Sequence, residues 1–244
     1  MRFLPRALVA FSLAAAGVLV VGVAGALRPA GGPVPPAPAA ASPPAPGSGR
    51  LLLALGDSLT RGAGDPGGGY VPALAAALAP TRPGLRVENL AVDGLESEGL
   101  LETLSHPHAR ELVASAGMIV LSIGSNDLTH SLPRVLTGES GVDAARRAFA
   151  ANVERIFVQI RAGNPSAPVF ALLLYNPYPD ARAAGSEALI DWNAAIQRAA
   201  ARHGVRAVPT EDLFDGRRER LSADRFHPSA AGHALIARRI LEEL

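Results

Sequence analysis

Four short segments of this sequence carry groups that could act together on an acyl carbon. Gly56-Asp57-Ser58-Leu59-Thr60 supplies a hydroxyl, and Asp93-Gly94 supplies a backbone amide with no side chain over it. Gly124-Ser125-Asn126-Asp127 supplies a side-chain amide, and Asp224-Arg225-Phe226-His227-Pro228 a carboxylate and an imidazole. A serine hydroxyl is a poor nucleophile until a base takes its proton. The oxygen that becomes negative during acyl transfer needs fixed hydrogen-bond donors. Hydroxyl, imidazole, carboxylate and two donor groups are the parts that such a reaction requires, and none of them needs a metal or cofactor.

These segments work together only if the fold brings them to one place. Short apolar runs come before them. Leu51 to Leu55, Val87 to Val92, Met118 to Ile123 and Val169 to Tyr175 read as strands, with Val205 to Pro209 as a weaker fifth. Helical patterns lie between, over Val71 to Leu78, Leu95 to Leu104, Ala109 to Ala114, Asp143 to Arg161 and Glu187 to His203. A last helix follows Pro228. Near-continuous apolar strands alternating with helices argue for a parallel sheet covered on both faces. The expected architecture is a three-layer α/β/α sandwich with about five parallel strands. Sites in such sheets form beyond the carboxyl ends of the strands, which is where the four segments fall.

Composition removes other classes. The chain has 244 residues and a formal net charge of +1, so no basic surplus draws it to nucleic acid. It has no cysteine, which excludes disulfides, thiolate nucleophiles and cysteine-bound zinc. It has no lysine either, which excludes a P-loop lysine, Schiff bases and Ser–Lys pairs. The glycine-rich stretch from Gly62 to Gly69 lacks the G-K-[ST] of a phosphate loop. No G-x-S-x-G elbow occurs, which counts against the α/β-hydrolase fold.

Taken in order, the segments resemble the four blocks of the SGNH (GDSL-type) hydrolases. They read Gly56-Asp57-Ser58-Leu59, Asn89-Leu90-Ala91 leading to Gly94, Gly124-Ser125-Asn126-Asp127, and Asp224 through Pro228. The resemblance covers the chain from about Arg50 to Leu244 and implies a flavodoxin-like SGNH hydrolase fold. The longer run from Gly56 to Asp65, with Gly68-Gly69-Tyr70 after it, is similar to bacterial members described as lysophospholipase-like or spore-germination lipases. The family likeness implies Ser58 as nucleophile, His227 as general base and Asp224 as the carboxylate that orients the imidazole. It implies an oxyanion hole from the Ser58 and Gly94 backbone amides and the Asn126 side chain. The bland alternatives are a helix-capping serine, a surface Asp–His pair, a turn glycine and an Asx-turn asparagine.

Other polar residues read more plainly. Asp57 and Asp127 are expected to bond loop backbone, His233 to pack against adjacent loops, and His130 to sit in a loop. His106 and His108 flank a proline with no ligand partner at metal spacing. Tyr175 to Tyr178 form either an acyl-pocket wall or a loop closing the sheet edge. The implied reaction is hydrolysis of a carboxylic ester through an acyl-enzyme, with small-molecule or lipid esters, lysophospholipids first, as substrates. The rivals are O-deacetylation of an exported polysaccharide, thioester hydrolysis, and a non-catalytic module that binds glycan or lipid in the same cleft.

The first 26 residues read as a targeting segment. Arg2 and Arg6 come before an uncharged apolar stretch from Ala7 to Ala26, which ends in the small-x-small form Ala24-Gly25-Ala26. The stretch is long enough to span a bilayer, so cleaved signal peptide and retained membrane anchor both stay open. Either would export the rest of the chain. Residues 27–49, rich in Pro and Ala, read as a linker too poor in large apolar groups to fold, and 50–244 as the hydrolase domain.

Overall fold

The structure, a computed structural model, describes residues 49–137, 141–178 and 184–244. The expected targeting segment, and all but the last residue of the expected linker, lie outside the described residues.

Five strands form one sheet: β1 Leu51–Gly56, β2 Arg86–Asn89, β3 Met118–Ser122, β4 Val169–Leu172 and β5 Arg206–Val208. Their order is β2-β1-β3-β4-β5 and every neighbouring pair is parallel. This is the flavodoxin-like order, in which the chain reverses its winding between β1 and β3. β1 is buried at all of its positions. The strand's two-residue period divides it between two cores: Leu51, Leu53 and Leu55 face one side, and Leu52 and Ala54 the other.

Between the strands run α1 Ser58–Arg61, α2 Tyr70–Leu78, α3 Ser97–Ser105, α4 Pro107–Ser115, α5 Ser125–Thr137, α6 Gly141–Gly163, α7 Ala184–His203, α8 Glu211–Phe214 and α9 Ala230–Glu242. α3 to α7 contribute to the first core. There Phe149, Val153, Ile156, Phe157 and Ile160 of α6 recur at helical spacing, and Phe149 stacks on Trp192 of α7 with centroids 5.8 Å apart. α2 and α9 cover the other face through Tyr70, Val71, Leu74, Ile236 and Ile240. Truncating one of the buried aromatic side chains among these costs about 3–5 kcal/mol.

Three details differ from the sequence reading. β2 is shorter than the run Val87 to Val92, although the ladder continues through Leu90 N to Ala54 O and Val92 N to Gly56 O, each at 2.9 Å. The end of β4 is completed by a side chain. Asn193 of α7 accepts from Leu174 N at 2.8 Å and donates to Leu174 O at 2.9 Å. The helix α5 was not expected, because its first turn is polar and its sequence contains Pro133.

Candidate active site

Ser58 is presented by the turn that ends β1. Gly56 pairs with Ser122 of β3, and the chain then turns at once into α1. The cap of this turn is Asp57, whose carboxylate accepts from Leu59 N at 3.1 Å. A capping role for Ser58 is thereby taken by its neighbour, and the Ser58 hydroxyl instead meets His227, with Oγ to Nε2 at 2.8 Å.

His227 lies in a tight loop pinned at its base by the antiparallel bridge Leu221–Pro228 and by Ser222 N donating to His227 O at 2.8 Å. One carboxylate organises the loop from inside. Asp224 Oδ1 accepts from Ser222 Oγ at 2.7 Å, Phe226 N at 2.8 Å and His227 N at 2.9 Å. Asp224 Oδ2 lies 2.7 Å from His227 Nδ1. Burial alone would push this carboxyl up. The His227 ring, the two amides and the Ser222 hydroxyl outweigh it and hold the group far below the usual carboxylate range, so Asp224 stays ionised. Arg225 makes the turn with φ 57°, an uncommon conformation for a side-chain-bearing residue that the donors around Asp224 help to hold. From the sheet side, the Tyr175 hydroxyl donates to Phe226 O at 2.8 Å, and the Phe226 ring meets the imidazole edge-on at 4.9 Å. With Nδ1–H directed at Asp224, Nε2 carries the lone pair that faces Ser58, the arrangement that lets the ring accept the hydroxyl proton.

Gly94 and Asn126 come from the neighbouring strand ends. Gly94 sits third in a turn closed by Leu95 N to Val92 O at 3.2 Å, and its φ of 77° is what that position needs. A β-carbon built on it would touch nothing within 4 Å. Asn89, the last residue of β2, donates to Thr60 O at 3.0 Å and ties this strand end to α1. Asn126 lies in the first turn of α5 and donates one amide hydrogen to Leu95 O at 2.9 Å, which fixes its plane beside the Gly94 turn. Asp127 secures the other end of this loop. Its carboxylate accepts from Ser97 N at 3.0 Å and from Ser97 Oγ at 2.5 Å, where α3 begins.

The remaining polar residues separate clearly. His233 of α9 is buried, bonds Ala63 O through Nε2 at 2.9 Å and stacks on Tyr70. His130 lies on α5, not in a loop, and pairs with Glu96. His106 joins α3 to α4, and among the described residues no three His, Asp or Glu side chains gather where a metal could be held. Tyr175 spends its hydroxyl on the His227 loop, a role that sequence reasoning missed because its partner is 51 residues away. Ser122, Thr60 and Tyr70, which form a buried hydroxyl chain behind Ser58, were missed for the same reason.

Known proteins resemble this chain over most of its described length. A family profile described as the GDSL-like lipase/acylhydrolase family matches residues 54–235. The chain is 31% identical over 207 residues to the uncharacterized protein YpmR of Bacillus subtilis, covering 80% of this chain and 81% of that protein. It is 27% identical over 199 residues to the spore germination lipase LipC of Bacillus licheniformis, covering 77% of this chain and 92% of that one. Among solved structures it is similar to the lipase Lip_vut3 from a goat rumen metagenome. The TM-score is 0.72 at 25% identity, over 79% of this chain and 96% of the other.

Proposed function

The chain belongs to the GDSL-like lipase/acylhydrolase family and is a hydrolase of carboxylic esters, and from that premise we propose that it works through an acyl-enzyme formed on Ser58. The observation that carries this reading is the double engagement of His227, with Nε2 2.8 Å from Ser58 Oγ and Nδ1 2.7 Å from Asp224. Ser58 Oγ bonds to the ester carbon as its proton passes to Nε2, and the carbonyl electron pair moves onto oxygen. Collapse of this intermediate expels the alcohol, which takes the proton from His227. Water then repeats the sequence on the acyl-enzyme. Asp224 holds the ring and offsets its transient positive charge.

In this reading the negative oxygen is held by the Ser58 and Gly94 amides and by the second Asn126 amide hydrogen, the first being engaged by Leu95 O. Asn126→Ala is expected to lower kcat by about 10²–10³-fold with little change in KM, the usual cost of one such donor. Steady-state kinetics on a soluble ester check this, and an effect confined to KM would make Asn126 a substrate-binding group instead.

For the substrate we propose lipid esters, lysophospholipids first, a reading supported by the two relatives named as lipases. Arg2, Arg6 and the apolar stretch that follows support an exported enzyme, cleaved or anchored. The test is a panel of p-nitrophenyl esters from acetate to palmitate with lysophosphatidylcholine and an acetylated glycan. Release of longer acyl chains and of fatty acid from lysophosphatidylcholine is the expected result. Turnover confined to acetyl groups would replace lipid hydrolysis with deacetylation, and an inert protein would favour the binding-module reading.

A further inference from the structure

We propose that Tyr175 is a positioning residue for acyl transfer: its hydroxyl, presented by the end of β4, holds the turn that carries His227 at working distance from Ser58. The proposal rests on the Ser58–His227–Asp224 reading above.

The need for such a tie follows from where the three residues sit. Asp224 lies three residues before His227 in the same turn, and the bonds that shape this turn are internal to it. Asp224 Oδ1 accepts from Phe226 N at 2.8 Å and from His227 N at 2.9 Å, and Ser222 N donates to His227 O at 2.8 Å. A shift of the turn carries Asp224 and His227 together, so the 2.7 Å between Oδ2 and Nδ1 survives it. The 2.8 Å between Nε2 and Ser58 Oγ does not, because Ser58 stands on a separate element at the start of α1. A group outside the turn has to set that second distance. Among the recorded hydrogen bonds of residues 224–227, one reaches the end of a strand apart from the Ser58 bond itself: the Tyr175 hydroxyl donates to Phe226 O at 2.8 Å.

Tyr175 is itself firmly held. Leu173 N extends the β4 ladder to Val208 O at 2.9 Å, and Asn193 bonds both Leu174 N and Leu174 O, so the chain is fixed up to the residue before it. The Tyr175 ring packs on Phe214 of α8 with centroids 4.2 Å apart. Burial pushes the phenol well above its usual range, so the hydroxyl remains a donor. At the far end, the peptide joining Phe226 to His227 is bonded on both sides, its N–H by Asp224 and its C=O by Tyr175. That peptide cannot rotate without breaking one of the two. The loop after α1 limits the turn in the other sense, since a β-carbon on Gly64 would lie 2.9 Å from His227 Cβ. The packing resists approach of the turn to α1, and the hydrogen bond resists its departure from the sheet. A misplacement of about 1 Å at a reacting atom can cost about 10²-fold in rate.

The test is Tyr175→Phe, which keeps the ring on Phe214 and removes one oxygen, assayed on a soluble ester. Expected is a kcat lowered about tenfold or more with KM and the circular dichroism spectrum unchanged. In a His227→Ala background the same substitution should change the residual rate by less than about twofold, because it acts through the imidazole. In an Asn126→Ala background it should cost its full factor. A para-aminophenylalanine in place of Tyr175 restores a donor at the same point and should return most of the lost kcat. An unchanged kcat, or a loss that recurs undiminished in His227→Ala, would overturn the proposal. So would an effect confined to KM that grows with acyl length, which would make Tyr175 the wall of an acyl pocket. If Tyr175→Phe does not fold, para-fluorophenylalanine at this position fills the volume of the hydroxyl without donating and takes its place in the same assays. A domain that folds with neither would make the hydroxyl a determinant of the fold alone, and the proposal fails. Should Ser58→Ala retain turnover, the underlying triad reading fails, whereas an inactive Ser58→Ala with an unaltered Tyr175→Phe sinks this inference alone.

Discussion

Ser58→Ala is expected to lower kcat by about 10⁶-fold while leaving the domain folded, because the proposed mechanism runs through this hydroxyl and the surrounding turn does not depend on it. Its oxygen meets His227 Nε2 at 2.8 Å and no other recorded side chain. The turn around it is held by other groups. Asp57 caps it through Leu59 N, Thr60 N donates to Ser122 Oγ, and Asn89 reaches Thr60 O from β2. Alanine is also the better helix former at the first position of α1. The melting temperature should therefore move by no more than a few degrees. His227→Ala should cost about as much in kcat, and the double variant should cost little more than either, since the two residues act as one unit. Additive losses, or a Ser58→Ala enzyme that turns over at the wild-type rate, would remove Ser58 from the mechanism. A fluorophosphonate that labels the wild type and not the variant gives the same answer without a substrate.

The parallel sheet was legible because a strand buried on both faces has an unmistakable composition. Leu51 to Leu55 has no polar position to spare, and Met118 to Leu121 is the same. The candidate site residues were legible as types, since hydroxyl, imidazole and carboxylate each fell just after a predicted strand or in the last loop. Their support was not. Asp57 read as a residue bonded to loop backbone, and it does accept from Leu59 N. Its stronger engagement is with Ser122 and Ser125, which lie 65 and 68 residues further on and meet it only because β3 is the neighbour of β1. α5 was hidden by its polar first turn and by Pro133. A first turn of Ser125, Asn126 and Asp127 has no apolar face to announce a helix, and each of the three is committed to tertiary contacts instead. Hydrophobic period reveals what packs. It is silent about hydroxyl chains, whose members are ordinary serines and threonines until the fold sets them side by side.

Gly56→Ala is expected to be the most destabilising single methyl group that can be added near the site, and Gly94→Ala shows why by contrast. Both residues have positive φ, 112° for Gly56 and 77° for Gly94. A backbone penalty for any side chain therefore applies at both. What differs is space. A β-carbon on Gly94 meets nothing within 4 Å, whereas one on Gly56 would lie 1.8 Å from Ser122 O and 2.9 Å from its carbonyl carbon. That oxygen is the acceptor of Asp57 N at 3.1 Å, the bond that joins β3 to the start of the Ser58 turn. Relief requires β1 and β3 to separate at their carboxyl ends, in the middle of a sheet whose flanking layers are packed. Opening them breaks that bond and pulls Ser122 from Asp57 and Thr60. The sum should exceed about 4 kcal/mol, a large share of the 5–15 kcal/mol that holds a domain together. Thermal melts should show Gly56→Ala lowered by roughly 10 °C or more, or insoluble, with activity lost in proportion. Gly94→Ala should fall by only a few degrees. Equal melting temperatures for the two variants would mean that the strand ends yield freely, and that the close approach of β1 to β3 is not what sets the position of Ser58.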